Sequence, residues 1–209
     1  MPGRWAVVKV SPARLAQLVI SSLALGLGVA LLLLASLGSD GYSTFVNGMA
    51  RQLGVTFFWV NLVVGVVLVS MAWSRGLTPG LGTIIQPLLV GLTVSPILAA
   101  FDTPSSLAAR VGLLLAGFAI LVPGIAGYLG SRTGAGPVEA AALAFDPPVP
   151  FRWSYTVLQC SGALTGWLLG AAAGVGTLIV IVLIGPSVDL VARRVPAFGT
   201  PTPRRIAQV

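Results

Sequence analysis

The stretch "PGLGTIIQPLLVG" at residues 79–91 is nearly repeated as "AGVGTLIVIVLIG" at residues 173–185. A constant spacing of 94 residues pairs Gly80 with Gly174, Gly82 with Gly176, Thr83 with Thr177, Gly91 with Gly185 and, upstream, Trp73 with Trp167. "LGSDG" at 37–41 and "TGAGP" at 133–137 extend the match, with Gly38 and Gly134 spaced by 96 residues. The pattern therefore predicts two related units in one chain.

The composition is that of an integral membrane protein. Of the 209 residues, 56% are hydrophobic and only 8% are charged, and the mean hydropathy is +0.98. A soluble domain of this length could not bury so much apolar surface. Residues 15–37 and 111–129 carry no charged side chain, and a helix needs roughly 20 apolar residues to cross a bilayer.

Arg4, Lys9 and Arg14 precede the first apolar run as they would in a signal peptide. That run has 23 residues, whereas the apolar region of a signal peptide has roughly 7 to 15. We therefore interpret it as an uncleaved first helix.

The residue inventory narrows the possible chemistry. The chain has no histidine and one cysteine, Cys160, which excludes Cys/His metal sites, a Ser-His-Asp triad and an intramolecular disulfide. The five acidic residues are scattered, so the sequence predicts neither an enzyme nor a bound metal or cofactor. The net charge is +7, and the basic residues lie at the ends of apolar runs. This distribution favours a membrane surface over a nucleic acid as partner.

Six membrane-spanning helices are predicted, at residues 15–37, 55–73, 81–100, 107–129, 154–171 and 175–192. Gln86, Pro87, Ser95 and Pro96 interrupt the third. With this topology ten of the twelve basic residues fall on one side of the membrane, and Arg51 and Arg110 fall on the other. The positive-inside rule then predicts a multi-pass protein of the bacterial cytoplasmic (inner) membrane with both termini in the cytoplasm.

Two apolar segments are too short to cross the membrane, residues 41–54 and 137–146. We interpret them as half-helices. The expected fold is an all-α membrane protein of six transmembrane helices, arranged as two inverted three-helix repeats with one half-helix each. The second repeat is inverted because three spans is an odd number. The predicted organisation is a cytoplasmic segment at 1–14, repeats at 15–100 and 101–192, and a mobile, basic cytoplasmic tail at 193–209.

Five motifs occur in this order: "LGSDGYSTFVNGMARQLG", "PGLGTIIQPLLVG", "GAGPVEA", "PFRW" and "GVGTLIVIVLIGPSVD". Together they resemble the YczE/YitT-like bacterial integral membrane proteins, over about residues 37–190. The resemblance implies a multi-pass inner-membrane protein, and it implies no particular substrate.

Glu139 is the foremost candidate binding residue, because an ionisable side chain at membrane depth is costly and usually functional. Its position two residues after Pro137 is also typical of a plain helix start. Asp40 and Asn47 are candidates in the first half-helix, where Asp40 could instead be a turn or cap residue.

The two G-x-G-T turns are further candidates, because the N–H groups and positive dipole of a helix N-terminus can bind a polar or anionic solute. Their alternative role is a tight capped turn between helices. The residues concerned are Gly80, Gly82, Thr83, Gly174, Gly176 and Thr177.

Inverted repeats with interrupted segments are typical of secondary transporters, which bind their substrate between the repeats. The first hypothesis is therefore a small transporter or permease of unknown solute, in which changing Glu139 or Asn47 abolishes flux without affecting membrane insertion. The alternative is a non-transporting scaffold or regulator of a partner complex, with the duplication kept for packing. A homodimer through Gly26, Gly28, Gly112 or Gly117 is also expected.

Overall fold

The computed structural model describes residues 10–198, and every regular element in that range is helical. The α-helices are α1 (Pro12–Ala35), α2 (Gly41–Leu53), α3 (Phe57–Ser74), α4 (Leu81–Ala100), α5 (Leu107–Gly130), α6 (Pro137–Leu143), α7 (Phe151–Leu168) and α8 (Val175–Arg194), followed by a 3-10 turn at Pro196–Phe198. The predictions for Arg4, Lys9, Arg204, Arg205 and most of the terminal segments lie outside the described residues.

The first residues of the predicted mobile tail are structured. Arg193 and Arg194 complete α8, and the 3-10 turn packs against α5 and α8. The Gln17 side chain on α1 donates a 2.9 Å hydrogen bond to the carbonyl of Ala197. The expectation of a mobile segment beginning at residue 193 was therefore wrong for residues 193–198, because this turn docks on the bundle.

Local capping explains where the helices begin. Asp40 accepts a hydrogen bond from the backbone N–H of Ser43 and starts α2, and Pro137 occupies the first position of α6. Thr83 and Thr177 accept hydrogen bonds from the N–H groups of Gly80 and Gly174, over 3.1 and 3.3 Å, at the starts of α4 and α8. An N-cap side chain such as Asp40 contributes about 1 kcal/mol to its helix.

Five helices in the described range are long and apolar enough to cross a membrane, namely α1, α3, α4, α5 and α8. The interrupted third span is thus confirmed as one continuous apolar helix, with Pro87 and Pro96 inside it. Large apolar side chains such as Ile20, Val63 and Leu178 are exposed, which indicates a lipid environment. The 18-residue helix α7 is more polar and does not reach the same hydropathy.

The helix boundaries repeat with the spacing of the sequence. The ends of α3 and α7 are 94 residues apart at both termini, and so are the ends of α4 and α8. The ends of α1 and α5 are 95 residues apart. The first residues of α2 and α6 are 96 residues apart, although α6 is much shorter. The predicted half-helix at 137–146 accordingly ends at Leu143.

The G-x-G-T turns join the two units to each other. The amide of Gly82 donates to the carbonyl of Thr133 over 2.8 Å, and the amide of Gly176 donates to the carbonyl of Leu37 over 3.1 Å. Gly38 and Gly134, with φ of 120° and 127°, complete the same two contacts, and only glycine adopts such angles without strain. Each unit therefore supplies the linker that the other unit's turn packs against.

The centre of the bundle is formed by α1 and α5. Leu25 lies beside Gly124, Gly28 beside Leu121 and Leu32 beside Gly117, an order that makes the two helices antiparallel. Half-helix α2 packs on α7 and half-helix α6 packs on α3. Each half-helix therefore contacts the helix that follows the half-helix of the other unit.

Three of the four glycines predicted to form a dimer contact other helices of the same chain. Gly28 and Gly117 are used inside the chain, in the α1–α5 contact, and Gly26 packs against Thr93 of α4. Only Gly112 of the four has nothing within 4 Å of an added Cβ. The homodimer stays a prediction, and three of its four proposed glycines serve internal packing instead.

Candidate functional site

A cavity lies between the two half-helices in the middle of the bundle. Its volume is about 60 Å³, enough for a few waters. Asp40 and Ser43 line it from the start of α2, and Pro137 and Glu139 line it from the start of α6. The N-termini of both half-helices therefore converge on one site.

A chain of hydrogen bonds runs through one wall of this cavity. The Tyr42 hydroxyl donates to Asn61 Oδ1 over 2.9 Å, and Asn61 Nδ2 donates to the carbonyl of Pro87 over 2.7 Å. The backbone N–H of Tyr42 donates to Gln159 Oε1, and Gln159 Nε2 donates to the Tyr155 hydroxyl. These bonds tie α2, α3, α4 and α7 together, and they use the Tyr42 hydroxyl and one N–H each of Asn61 and Gln159.

Asp40 is engaged within its own cap. Its Oδ2 accepts from the Ser43 amide at 3.0 Å, and its Oδ1 accepts from the Ser39 hydroxyl at 3.1 Å. The cap role considered for Asp40 is therefore confirmed, and the carboxylate lies at the cavity wall as well.

Three oxygen atoms converge beside Gly136. A Cβ added there would lie 2.7 Å from Glu139 Oε2, 3.1 Å from the Tyr128 hydroxyl and 3.3 Å from Gln86 Oε1. Tyr128 is 1% exposed and Gln86 is 9% exposed. Gln86 Oε1 has no hydrogen-bond partner among residues 10–198, and a buried polar group without a partner costs about 1–3 kcal/mol. The Tyr128 hydroxyl lies beside the Glu139 carboxylate, to which it can donate. The cluster thus contains an acceptor oxygen, that of Gln86, to which the described residues supply no donor.

Glu139 also reaches a second space. A groove of about 400 Å³ runs between α5, α6, α7 and α8, and it shares Glu139, Tyr155 and Ile184 with the central cavity. At its far end lie Arg152 of α7 and Asp189 of α8. Arg152 lies over the ring of Trp153, and Asp189 pairs with Arg193 at 3.1 Å. The groove thus leads from the end of the bundle that carries these charges to the Glu139 carboxylate.

The structure separates the predicted site residues into two groups. Glu139 and Asp40 line the central cavity. Gly80, Gly82, Thr83, Gly174, Gly176 and Thr177 do not line it, since their turns contact the linkers of the opposite unit. Asn47 is half-buried on α2 and is also absent from the cavity wall.

Sequence reasoning missed Asn61, Gln86 and Gln159 as cavity residues and Tyr128 as a neighbour of Glu139. Gln86 was noted as an interruption of an apolar helix, and Asn61 and Gln159 are likewise lone polar residues in apolar runs. That signal could have identified all three, because an uncharged polar side chain inside a span usually faces the interior of the bundle. Tyr128 lies at the end of an apolar run and gives no comparable signal.

The comparisons with known proteins identify the family without a function. A family of unknown function (DUF6198) matches residues 12–193, so the chain belongs to this family. An uncharacterized protein of Haemophilus influenzae (strain ATCC 51907 / DSM 11121 / KW20 / Rd) is 29% identical over 174 residues, which cover 79% of this chain and 77% of that protein. No solved structure gives a significant match.

Proposed function

We propose that this member of the DUF6198 family is a small membrane transporter whose solute binds in the central cavity beside Glu139. The observation that carries the proposal is the position of this carboxylate, between the central cavity, which several polar side chains line, and a groove that leads out of the bundle. An ionised carboxylate at membrane depth costs on the order of 3 kcal/mol or more. A binding role offsets that cost, and a packing role does not.

The proposal includes six crossings in two inverted repeats. Helix α7 is included because it has the same length as α3 and carries exposed tryptophans at equivalent positions, Trp59 with Trp153 and Trp73 with Trp167. Tryptophans near both ends are typical of a span anchored at two interfaces. The antiparallel contact between α1 and α5 supports opposite orientations of the two repeats. Both termini then lie on the cytoplasmic side of a bacterial inner membrane.

The two repeats differ in a way that supports alternating access. Phe58 N–H and Asn61 Nδ2 of α3 donate to Ser95 Oγ and the Pro87 carbonyl of α4, over 2.8 and 2.7 Å. In the described part of the chain no side-chain hydrogen bond joins α7 to α8, and the groove opens between them. Exchange of these two conformations between the repeats would expose Glu139 to the opposite side.

We propose transport and not catalysis, and we keep the relationship to the YczE/YitT-like proteins as part of this proposal. Its support is the order of the five Gly-rich motifs along the chain. A scaffold role remains an outcome of the experiments below, since no feature of the site favours it.

The decisive experiment is flux through the purified protein in proteoliposomes, measured with solid-supported membrane electrophysiology and labelled solutes of both charges. We expect flux of at least one solute, its loss in Glu139→Gln and its retention in Asp102→Asn, which removes an exposed loop carboxylate. Absence of flux for every solute, together with co-purification of a defined membrane complex, would establish the scaffold alternative.

A labelling experiment tests the access path without knowledge of the solute. In a Cys160→Ser background, Thr156→Cys lies in the α7–α8 groove and Leu62→Cys occupies the equivalent place between α3 and α4. We expect a membrane-impermeant maleimide to label Thr156→Cys from the cytoplasmic side and Leu62→Cys, more slowly, from the outer side. Labelling of both residues from the same side would contradict the inverted arrangement.

A further inference from the structure

We propose that the central cavity binds a small monovalent cation, either an alkali metal ion or a protonated primary amine. The inference deepens the proposed function and rests on it for the identity of the cavity as the substrate site. Binding itself is measurable whether or not the protein transports anything.

The charge of the cavity wall is the first argument. Asp40 and Glu139 are its only charged lining residues among those described, and no Lys or Arg lines it. Such a wall repels anions and attracts a positive charge.

The availability of hydrogen-bonding groups is the second argument. The Tyr42 hydroxyl and one N–H each of Asn61 and Gln159 are bonded to protein acceptors, which reduces the number of donors that an acceptor ligand could use. In contrast, the Gln86 Oε1 atom is buried beside Glu139 without a partner in the described range, and the Tyr128 hydroxyl oxygen lies close to the same carboxylate. Oxygen atoms are the ligands of hard cations and the acceptors for an ammonium group.

The number of carboxylates that can contact the ligand favours a monovalent cation. Both oxygens of Asp40 already accept hydrogen bonds, from Ser39 and Ser43. Asp40 keeps its negative charge in these bonds, whereas Glu139 contributes the one carboxylate oriented to the convergent cluster. Divalent ions such as Ca²⁺ ordinarily take six to eight oxygen ligands including several carboxylates, which this cluster does not provide.

The test is direct binding to the full-length protein in detergent. The probes are ²²Na⁺ and ¹⁴C-methylammonium, with ionic strength held constant by N-methylglucamine chloride, whose cation is too large for the cavity. We expect saturable binding of at least one probe at one site per chain, at least tenfold weaker in Glu139→Gln and unchanged in Asp102→Asn. Binding of sodium alone assigns an alkali-ion site, and binding of methylammonium alone assigns an amine site.

A second variant covers the case in which Glu139→Gln does not fold. Gly136→Ala keeps every charge but places a methyl group against Glu139 Oε2 and the Tyr128 hydroxyl, so we expect at least tenfold weaker binding. Gly112→Ala, with nothing within 4 Å of its new Cβ, is the matched control. Saturable binding that survives in both Glu139→Gln and Gly136→Ala would overturn the inference, as would no binding of either probe to the wild-type protein.

The binding result is separable from the transport result. Cation binding lost in Glu139→Gln, with no flux of any solute, supports this inference and refutes the proposed transport. Flux of a solute that is insensitive to both cations, with neither probe bound, refutes this inference and supports transport.

Discussion

The α3–α4 contact and the α7–α8 groove occupy the same place in the two units but differ in packing. Asn61 and Phe58 hold α3 to α4 by hydrogen bonds to the Pro87 carbonyl and the Ser95 hydroxyl. At the spacing of 94 residues their counterparts are Tyr155 and Arg152 on α7, and Ile181 and Asp189 on α8. All four of these counterparts line the groove. The duplicated pair of helices has thus kept its helix bounds, while α3 is hydrogen-bonded to α4 (the closed pair) and a groove lies between α7 and α8 (the open pair).

The largest expected effect comes from locking the closed pair. Phe58→Cys with Ser95→Cys, in a Cys160→Ser background, places one cysteine on each helix at the point where the Phe58 backbone amide and the Ser95 hydroxyl are now 2.8 Å apart. We expect flux to be abolished on oxidation and restored by a reductant, because α3 and α4 could no longer separate. Flux that continues with the disulfide formed would show that the closed pair is not a gate, and each single cysteine variant is the control.

Loss of Asn61 should weaken the closed pair itself. Asn61 is 1% exposed and bonds both Tyr42 and Pro87. Asn61→Ala leaves buried partners unsatisfied, so we expect the free energy of unfolding to fall by about 1–3 kcal/mol. Maleimide labelling of Leu62→Cys should also become faster. A thermal melt and a labelling time course measure these effects, and unchanged labelling would contradict a clamp role.

Gly136→Ala tests the cluster that both pairs of helices surround. The new methyl group would lie 2.7 Å from Glu139 Oε2, a distance that forces the carboxylate to move. A displacement near 1 Å in a functional group can cost up to about 100-fold in rate, and we expect flux to fall at least about tenfold. Gly112→Ala should leave the flux unchanged, and equal flux in the two variants would show that the position of Glu139 is unimportant.

Asp189→Lys tests the open pair at its mouth. Asp189 and Arg152 lie on opposite walls of the groove, and closure of α7 on α8 would bring them together as Phe58 and Ser95 are now. A lysine there would oppose Arg152 and hold the groove open. We expect the free-energy difference between the open and closed groove to change by about 1 kcal/mol or less, as for exposed charge pairs. The change is measured as faster labelling of Thr156→Cys. Slower labelling would argue against a closing pair at these positions.

The smallest effect is expected at Asn47. The sequence predicted that changing it abolishes flux, but its side chain is half-buried on α2 and outside the cavity wall. From its position we now expect Asn47→Ala to retain most of the flux in the proteoliposome assay. Complete loss of flux with normal insertion would restore the original prediction and would indicate a conformational role for α2.

Much of the fold could be predicted because its signals are local. The turns at Gly80–Thr83 and Gly174–Thr177, the apolar runs and Pro137 fix helix starts within a few residues of those observed. Two contacts could not be predicted because each joins residues from different units, namely that of Gly82 with Thr133 and that of Gly176 with Leu37. Glu139 was found because a lone acid in an apolar chain is costly. Gln86 and Tyr128 were not identified as its neighbours because only the tertiary packing of α4 and α5 on α6 brings them beside it.

The reciprocal contacts of the two turns also constrain the order in which this protein can mature during synthesis. The carbonyl of Leu37 receives its hydrogen bond from Gly176, which leaves the ribosome after almost the whole chain has been made. Half-helix α2 waits similarly for α7, against which it packs. The first unit therefore enters the membrane unfinished. Until the second half of the chain has been made, Leu37 and α2 lack these partners.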